Sequence, residues 1–162
     1  MKQSIAQWYV AKVRYRTEKK IKNYLEKEGI EHYIPFRDEK PVIPCTVFIR
    51  TDYERALSLP EECGCTIDYL YNPDTKKFRI IPGKQLTDFM FLQEFSDKTI
   101  LLTHPEDLSG GEKVRVIKGE FAGIEGELYR IKGHRRVVVR LEGLASLALG
   151  NYIAKECLER II

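Results

Sequence analysis

Three glycines within eight residues, Gly119, Gly123 and Gly126, interrupt a two-strand pattern in "GEKVRVIKGEFAGIEGELYRI" (Gly111–Ile131), with Phe121 set between them. Glycine accepts positive φ, and it lets a second backbone pass where a Cβ would block it. The pattern predicts a tight β-hairpin. Lys118-Gly119 ends the first strand, with Gly119 at the positive-φ turn position, and Phe121 folds back to plug the end of a small barrel. Gly123 and Gly126 open the return strand, where a bulge or a close backbone approach needs them. Five glycines from Gly119 to Gly143, together with the run Val137–Val139, disfavour a helix here.

The surroundings agree. "EKVRVI", "EGELYRI", "RRVVVRL" and "LASLALG" are short strand signals separated by glycine-bearing turns, the spacing of a small β-barrel over residues 111–162. Before it, "SDKTILLTHPEDLSGG" is acidic and ends in Gly-Gly, which predicts a linker over residues 98–110, with Thr99–Thr103 able to tack onto a domain as an extended segment.

Residues 1–97 read as a separate α+β domain. "QWYVAKV" (Gln7–Val13) is β-branched and aromatic, hence a strand. In "TEKKIKNYLEKEG" the period turns helical, with Ile21, Tyr24 and Leu25 on one face, Thr17 as N-cap, and Gly29-Ile30 as a Schellman ending. "HYIPF" is a second strand, "RDEKPVIP" a loop, and "CTVFIRT" (Cys45–Thr51) a third strand. "DYERALSLPEE" holds a short helix ended by Pro60, and "CTIDYLY" a fourth strand with an extension at Phe78–Ile81. "PGKQLTDFMFLQEF" is a helix whose broad apolar face carries Leu86, Phe89, Met90 and Leu92.

Charge narrows the function classes. Residues 1–36 carry eight Lys/Arg against four Glu, residues 96–110 one Lys against three acids, and residues 111–162 ten basic against seven acidic groups. Two mildly basic lobes joined by an acidic segment suit weak, salt-sensitive contact with nucleic acid, and also suit plain solvated surfaces. No apolar run approaches the ~18 residues of a membrane helix, and the N-terminus lacks the h-region of a signal peptide, so a cytoplasmic protein is expected. Cys45, Cys63, Cys65 and Cys157 have neither disulfide-framework nor zinc-knuckle spacing, so no metal or cofactor is expected. His32, His104 and His134 lie in different segments with no nucleophile motif or phosphate loop, which argues against an enzyme.

Val114-x-Val116-x-x-Gly119-x-Phe121-x-Gly123-x-x-Gly126 resembles the KOW motif of SH3-like barrels in transcription and ribosomal proteins. "WYVAKVRYRTEKKIKNYLEKEGIEHYIP" resembles the start of the NGN domain of NusG-type transcription elongation factors, and "KPVIPCTVFIR" is similar to that family's proline-aromatic strand. Pro44 and Phe48 match that strand, while Cys45 replaces its usual glycine or asparagine and Thr46 its usual tyrosine. "VVVRLEGLASLALGNYIAKECLERI" resembles the UpxY-type antiterminators of Bacteroidetes.

The resemblance implies an NGN domain, with an antiparallel four-stranded sheet flanked by helices, followed by a KOW barrel. It implies a monomeric antitermination factor docked on the clamp of the largest RNA polymerase subunits, serving long operons such as those for capsular polysaccharide. It implies polymerase contact through Val10, Ile43, Pro44, Thr46, Phe48, Leu86 and Phe89, all of which also fit an ordinary core. By the same token, Arg14, Lys20, Tyr24 and Lys27 would face upstream or non-template DNA, although Tyr24 also fits the apolar stripe of its helix. In the barrel, Arg130, Arg135 and Arg136, with Phe121 and Ile124, would meet RNA, a ribosomal protein or termination factor Rho. A ribosome-associated RNA-binding KOW protein is the alternative, and it leaves the Trp8-Tyr9 domain unexplained.

Overall fold

The computed structural model describes residues 5–37, 40–95, 97–102, 111–141, 144–150 and 153–161. The chain is α+β, and its residues divide into two compact units, Met1–Gly83 and Lys84–Ile162.

The first unit is built on β1 (Gln7–Val13), whose β-branched and aromatic side chains alternate across a sheet buried on both faces. Helix α1 (Glu18–Lys27) follows. Its end is a Schellman motif, in which the Gly29 amide donates to Glu26 O at 3.1 Å and the Ile30 amide to Leu25 O at 2.9 Å. At its start the Thr17 hydroxyl donates back to Arg14 O at 2.6 Å, so it does not cap a helix amide.

Next come β2 (Glu31–Tyr33), a two-residue ladder of β3 (Phe36–Arg37) with β4 (Lys40–Pro41), and β5 (Thr46–Thr51). Apart from Phe36, which ends the string read as the second strand, the ladder lies in the stretch read from the sequence as loop. Helix α2 spans Tyr53–Cys63, a full helix where the sequence predicted a short one ended by Pro60. Asp52 caps it by accepting the Arg55 amide at 2.8 Å, and burial of Ala56 and Leu59 carries it through Pro60. The unit closes with β6 (Ile67–Tyr69), the hairpin β7 (Tyr71–Asn72)–β8 (Lys77–Phe78), and β9 (Ile80–Ile81).

The sheet path β2-β5-β1-β6 is the expected four-stranded antiparallel arrangement, and β9 adds a fifth strand beside β1. Tyr9, Ala11, Val13, Val47 and Ile49 face one way and pack with Ile21 and Leu25 of α1 and Ala56 and Leu59 of α2. Each fully buried Leu or Ile in this cluster contributes about 1.5–3 kcal/mol by removal from water.

The second unit contains helix α3 (Gly83–Gln93, all but its first residue) and a six-stranded antiparallel sheet. The sequence placed that helix in the domain ending at residue 97. The strands are β10 (Thr99–Leu102), β11 (Glu112–Val116), β12 (Glu125–Ile131), β13 (His134–Leu141), β14 (Ala145–Leu149) and β15 (Leu158–Arg160), in the order β10-β14-β13-β12-β11-β15. Residues 99–102, inside the expected linker, pair with β14 from Thr99↔Leu149 to Leu102↔Ser146. The remainder of that linker, residues 103–110, and the expected turn at Glu142–Gly143 lie outside the described residues.

The glycine trio serves two needs. The Val116 amide donates to Ile124 O at 2.9 Å and Val116 O accepts the Gly123 amide at 2.7 Å, so Gly123 and Ile124 together oppose one residue. That is a bulge with glycine at its left-handed first position, φ +98°, and Gly119 turns the loop at φ +92°. Gly126 is needed for space, since a Cβ there would lie 2.5 Å from Val138 O.

Candidate functional site

Each residue singled out for polymerase contact is buried except Pro44. Val10 and Phe48 are cross-strand partners, on the face of the sheet opposite Tyr9 and Ile49. Both are fully buried, as are Thr46, Leu86 and Phe89, and Ile43 nearly so. Only Pro44 is exposed. Its carbonyl accepts the Thr46 hydroxyl at 3.0 Å, and that hydroxyl in turn accepts from the Lys12 ammonium at 2.8 Å. Cys45 between them holds φ +56°, with its amide donating to the Glu18 carboxylate at 3.2 Å and its carbonyl accepting from the Val13 amide at 2.8 Å. The Pro44–Thr46 corner is therefore pinned to β1 and to the first turn of α1.

The cationic residues divide differently. Arg14, Lys20 and Lys27 are exposed. Tyr24 is half-buried in the seam between α1 and α2, and its hydroxyl donates to Glu62 at 3.1 Å. Burial, then the bond to Glu62, raises its pKa above the ordinary tyrosine value. Glu62 also accepts the Ser58 hydroxyl at 2.6 Å and pairs with Arg55 at 3.0 Å. Tyr24 is a helix-to-helix fastener in this structure.

Sequence reasoning passed over the two residues beside Arg14. Tyr15 is 74% exposed, and the Arg16 guanidinium lies over its ring at 5.1 Å. The signal was present in "VRYRTEKK", where an aromatic alternates with arginines, but nothing in a periodicity marks which residues of a turn stand outward. Arg14, Arg16, Lys19 and Lys20 are all exposed and form no ion pair among the described residues. The one acid between them, Glu18, is buried and turned toward the Cys45 amide.

In the second unit the loop from Ile117 to Ile124 is engaged by α3 and the residues after it. Lys84 Nζ donates to Gly123 O at 2.6 Å, and the Asp88 carboxylate accepts the Glu125 amide at 3.0 Å. The Phe95 ring meets Phe121 edge-on at 5.3 Å, and Lys98 pairs with Glu120 at 2.9 Å. Phe121 and Ile124 are accordingly buried. Arg136 donates to Ile131 O at 2.9 Å and to the carbonyls of Leu149 and Gly150, and Arg130 closes the β12–β13 turn on Gly133 O at 3.1 Å. Arg135 is exposed beside a groove of about 380 Å³ lined by Val114, Leu128 and Leu158, whose rim pairs Glu112 with Arg135 and Arg160. Val114 and Val116 of the glycine motif are buried strand residues of β11.

The four cysteines are unpaired, and among the described residues no three His, Cys, Asp or Glu side chains converge as metal ligands. No helix among the described residues is long and apolar enough to cross a membrane.

Residues 6–72, from the residue before β1 to the end of β7, match the family of transcription termination factor nusG. The NusG match thus covers four strands of the sheet (β2, β5, β1 and β6), helices α1 and α2, the Pro44–Thr46 corner and the cationic turn, and stops short of β9. A solved structure of Thermotoga maritima NusG, described for its domain interaction, is 16% identical over 97% of this chain and 98% of its own, with a TM-score of 0.49. A chain of the MjSpt4:Spt5 complex is 16% identical over 95% of this chain and 96% of its own, with a TM-score of 0.29. Neither score reaches the range in which a shared overall arrangement follows. No curated protein matches the chain.

Proposed function

We propose that this protein is a non-enzymatic transcription elongation and antitermination factor that binds RNA polymerase on the clamp of its largest subunits. The observation that carries the reading is the NusG match over residues 6–72, because that segment holds the Val10–Phe48 face and the basic helix in one domain. Such a factor makes and breaks no bond. It shifts the clamp between open, paused and closed, processive states, by an amount equal to its differential affinity for the two.

Val10, Thr46 and Phe48 are buried in this conformation, so contact through them requires the face to open, and the apparent affinity falls by the fraction of molecules that are open. Arg14, Lys20 and Lys27 are exposed and suited to the phosphates of upstream or non-template DNA. A ribosomal protein or Rho is proposed for the second unit, through the loop around Phe121 and Ile124. A role restricted to long operons such as those for capsular polysaccharide is the finer proposal. It is supported by the strings "EGLAS" and "LE-I" alone, and Glu142 and Gly143 of the first lie outside the described residues.

The test is elongation in vitro by purified core polymerase on a terminator template. Increased read-through with the protein is expected. Unchanged read-through, together with RNA-dependent binding to ribosomal subunits, would favour the ribosome-associated alternative.

A further inference from the structure

The second unit holds a groove to which the function proposed above gives no role. Its floor is aliphatic, made by Val114 of β11, Leu128 of β12, Leu158 of β15, and Ile153 from the segment before β15. Val114 is buried, but Leu128, Ile153 and Leu158 are only half-buried, which leaves apolar surface open to the groove. The volume of about 380 Å³ lies in the range of ligand pockets. No lining residue belongs to the Ile117–Ile124 loop.

The rim is cationic. Arg135, Lys155 and Arg160 stand around it with two acids, Glu112 and Glu159. Glu112 is shared between Arg135, at 3.9 Å, and Arg160. Glu159 pairs at 2.5 Å with Arg115, which does not line the groove. Lys155 is exposed and forms no ion pair among the described residues. An aliphatic floor beside an unmatched cation fits a group that is apolar and carries one negative charge. No aromatic ring lines the groove, so it offers nothing on which a nucleic-acid base could stack.

The backbone at the groove says what carries that group. β15 ends the sheet order and pairs, among the described residues, with β11 alone. The Ile117 amide donates to Cys157 O at 2.7 Å and the Ile161 amide to Lys113 O at 3.1 Å, so Cys157, Glu159 and Ile161 bond toward β11. The Leu158 amide closes a 3₁₀ turn on Lys155 O. By the alternation of an antiparallel ladder, the Leu158 carbonyl and both backbone groups of Arg160 point to the open edge. Such an edge receives an extended chain as an added strand. A free aliphatic acid would leave it unused.

We propose that this groove captures the carboxyl terminus of a partner polypeptide whose last residue is aliphatic. The terminal segment adds to β15 as an extended strand, and its last side chain lies on Leu128, Ile153 and Leu158. Its carboxylate meets the cations of the rim, Lys155 before the two arginines that share Glu112. The inference goes beyond the function proposed above and does not depend on it.

The test uses the full chain without polymerase, so its failure and that of polymerase binding are read separately. The immobilised protein is offered two pools of peptides about eight residues long with randomised ends, one pool closing in a free carboxylate and the other in an amide. Mass spectrometry of what is retained should find free-acid peptides ending in valine, isoleucine or leucine. For a retained peptide, amidation should weaken binding about tenfold or more, the loss of one charge-assisted hydrogen bond. Lys155→Ala should bring the acid and amide forms to similar affinity, which a purely structural role for Lys155 would not produce. N-methylation of the peptide amides that face β15 should abolish binding, and methylation of the alternate amides should not. Retention of no peptide, equal retention of the two pools, or competition by hexanoate or oligo-rU as effective as that of the unlabelled peptide would each overturn the proposal.

Discussion

The Asp88 carboxylate accepts the backbone amide of Glu125 at 3.0 Å with one oxygen and the Lys84 ammonium at 2.7 Å with the other. Asp88 is almost wholly buried, and Lys84 reaches on to Gly123 O. This clamp holds α3 to the start of β12, where the bulge ends. Asp88→Ala leaves a part-buried amide and a lysine without their acceptor, and should destabilise the protein by about 1–3 kcal/mol in chemical denaturation. Asp88→Asn, which keeps an acceptor for the amide, should lose less.

Two glycines of the motif separate conformation from space. At Gly126 an added Cβ would meet backbone, Val138 O at 2.5 Å, which a flexible side chain cannot relieve. Gly126→Ala should therefore cost about 1–3 kcal/mol by overpacking. Gly119 has no atom within 4 Å of an added Cβ and needs only its positive φ. Gly119→Asn should be nearly neutral, because asparagine tolerates that region. Thermal denaturation of the pair tests the distinction.

Arg16→Gly should raise stability by up to about 1 kcal/mol, the left-handed penalty less the extra chain entropy of glycine. A fall in melting temperature instead would mean that the Arg16 side chain holds the turn together.

Acidification should loosen the seam between α1 and α2. The Ser58 hydroxyl, then Tyr24 and Arg55, hold the Glu62 carboxyl below its ordinary range against the opposing effect of desolvation. A group depressed in the folded state stabilises above its unfolded pKa, and that contribution disappears as pH falls through the folded value. Stability measured from neutral pH downward should therefore fall less steeply in Glu62→Gln than in the parent chain. Identical slopes would remove Glu62 from the seam.

Much of this was legible in the sequence, for reasons that particular elements make plain. β1 begins and ends where its alternation does, and the Schellman end of α1 was written in Gly29-Ile30. The bulge at Gly123 and the close approach at Gly126 follow from what glycine alone can do. Helix α2 was read too short because Pro60 penalises a helix locally, whereas Asp52 capping and the burial of Ala56 and Leu59 act through tertiary structure. Thr99–Thr103 was legible as a segment able to join a domain in extended form, whereas its partner, β14, is set by tertiary structure.

The site divides in the same way. Lys20 and Lys27 were singled out through the family resemblance, and Tyr24 was ambiguous because one helical period serves both core and surface. Tyr15 and Arg16 were missed because a turn has no period, and only the backbone shows Arg16 in the left-handed region.

The central claim is tested most directly by passing nuclease-treated host lysate over the immobilised protein and identifying what it retains. Core RNA polymerase should be retained, and Phe48→Asp, which places a charge on the fully buried partner of Val10, should abolish that retention or fail to fold. Circular dichroism of the variant separates those two outcomes. Retention of ribosomal subunits without polymerase, or full polymerase retention by a folded Phe48→Asp variant, would contradict the account.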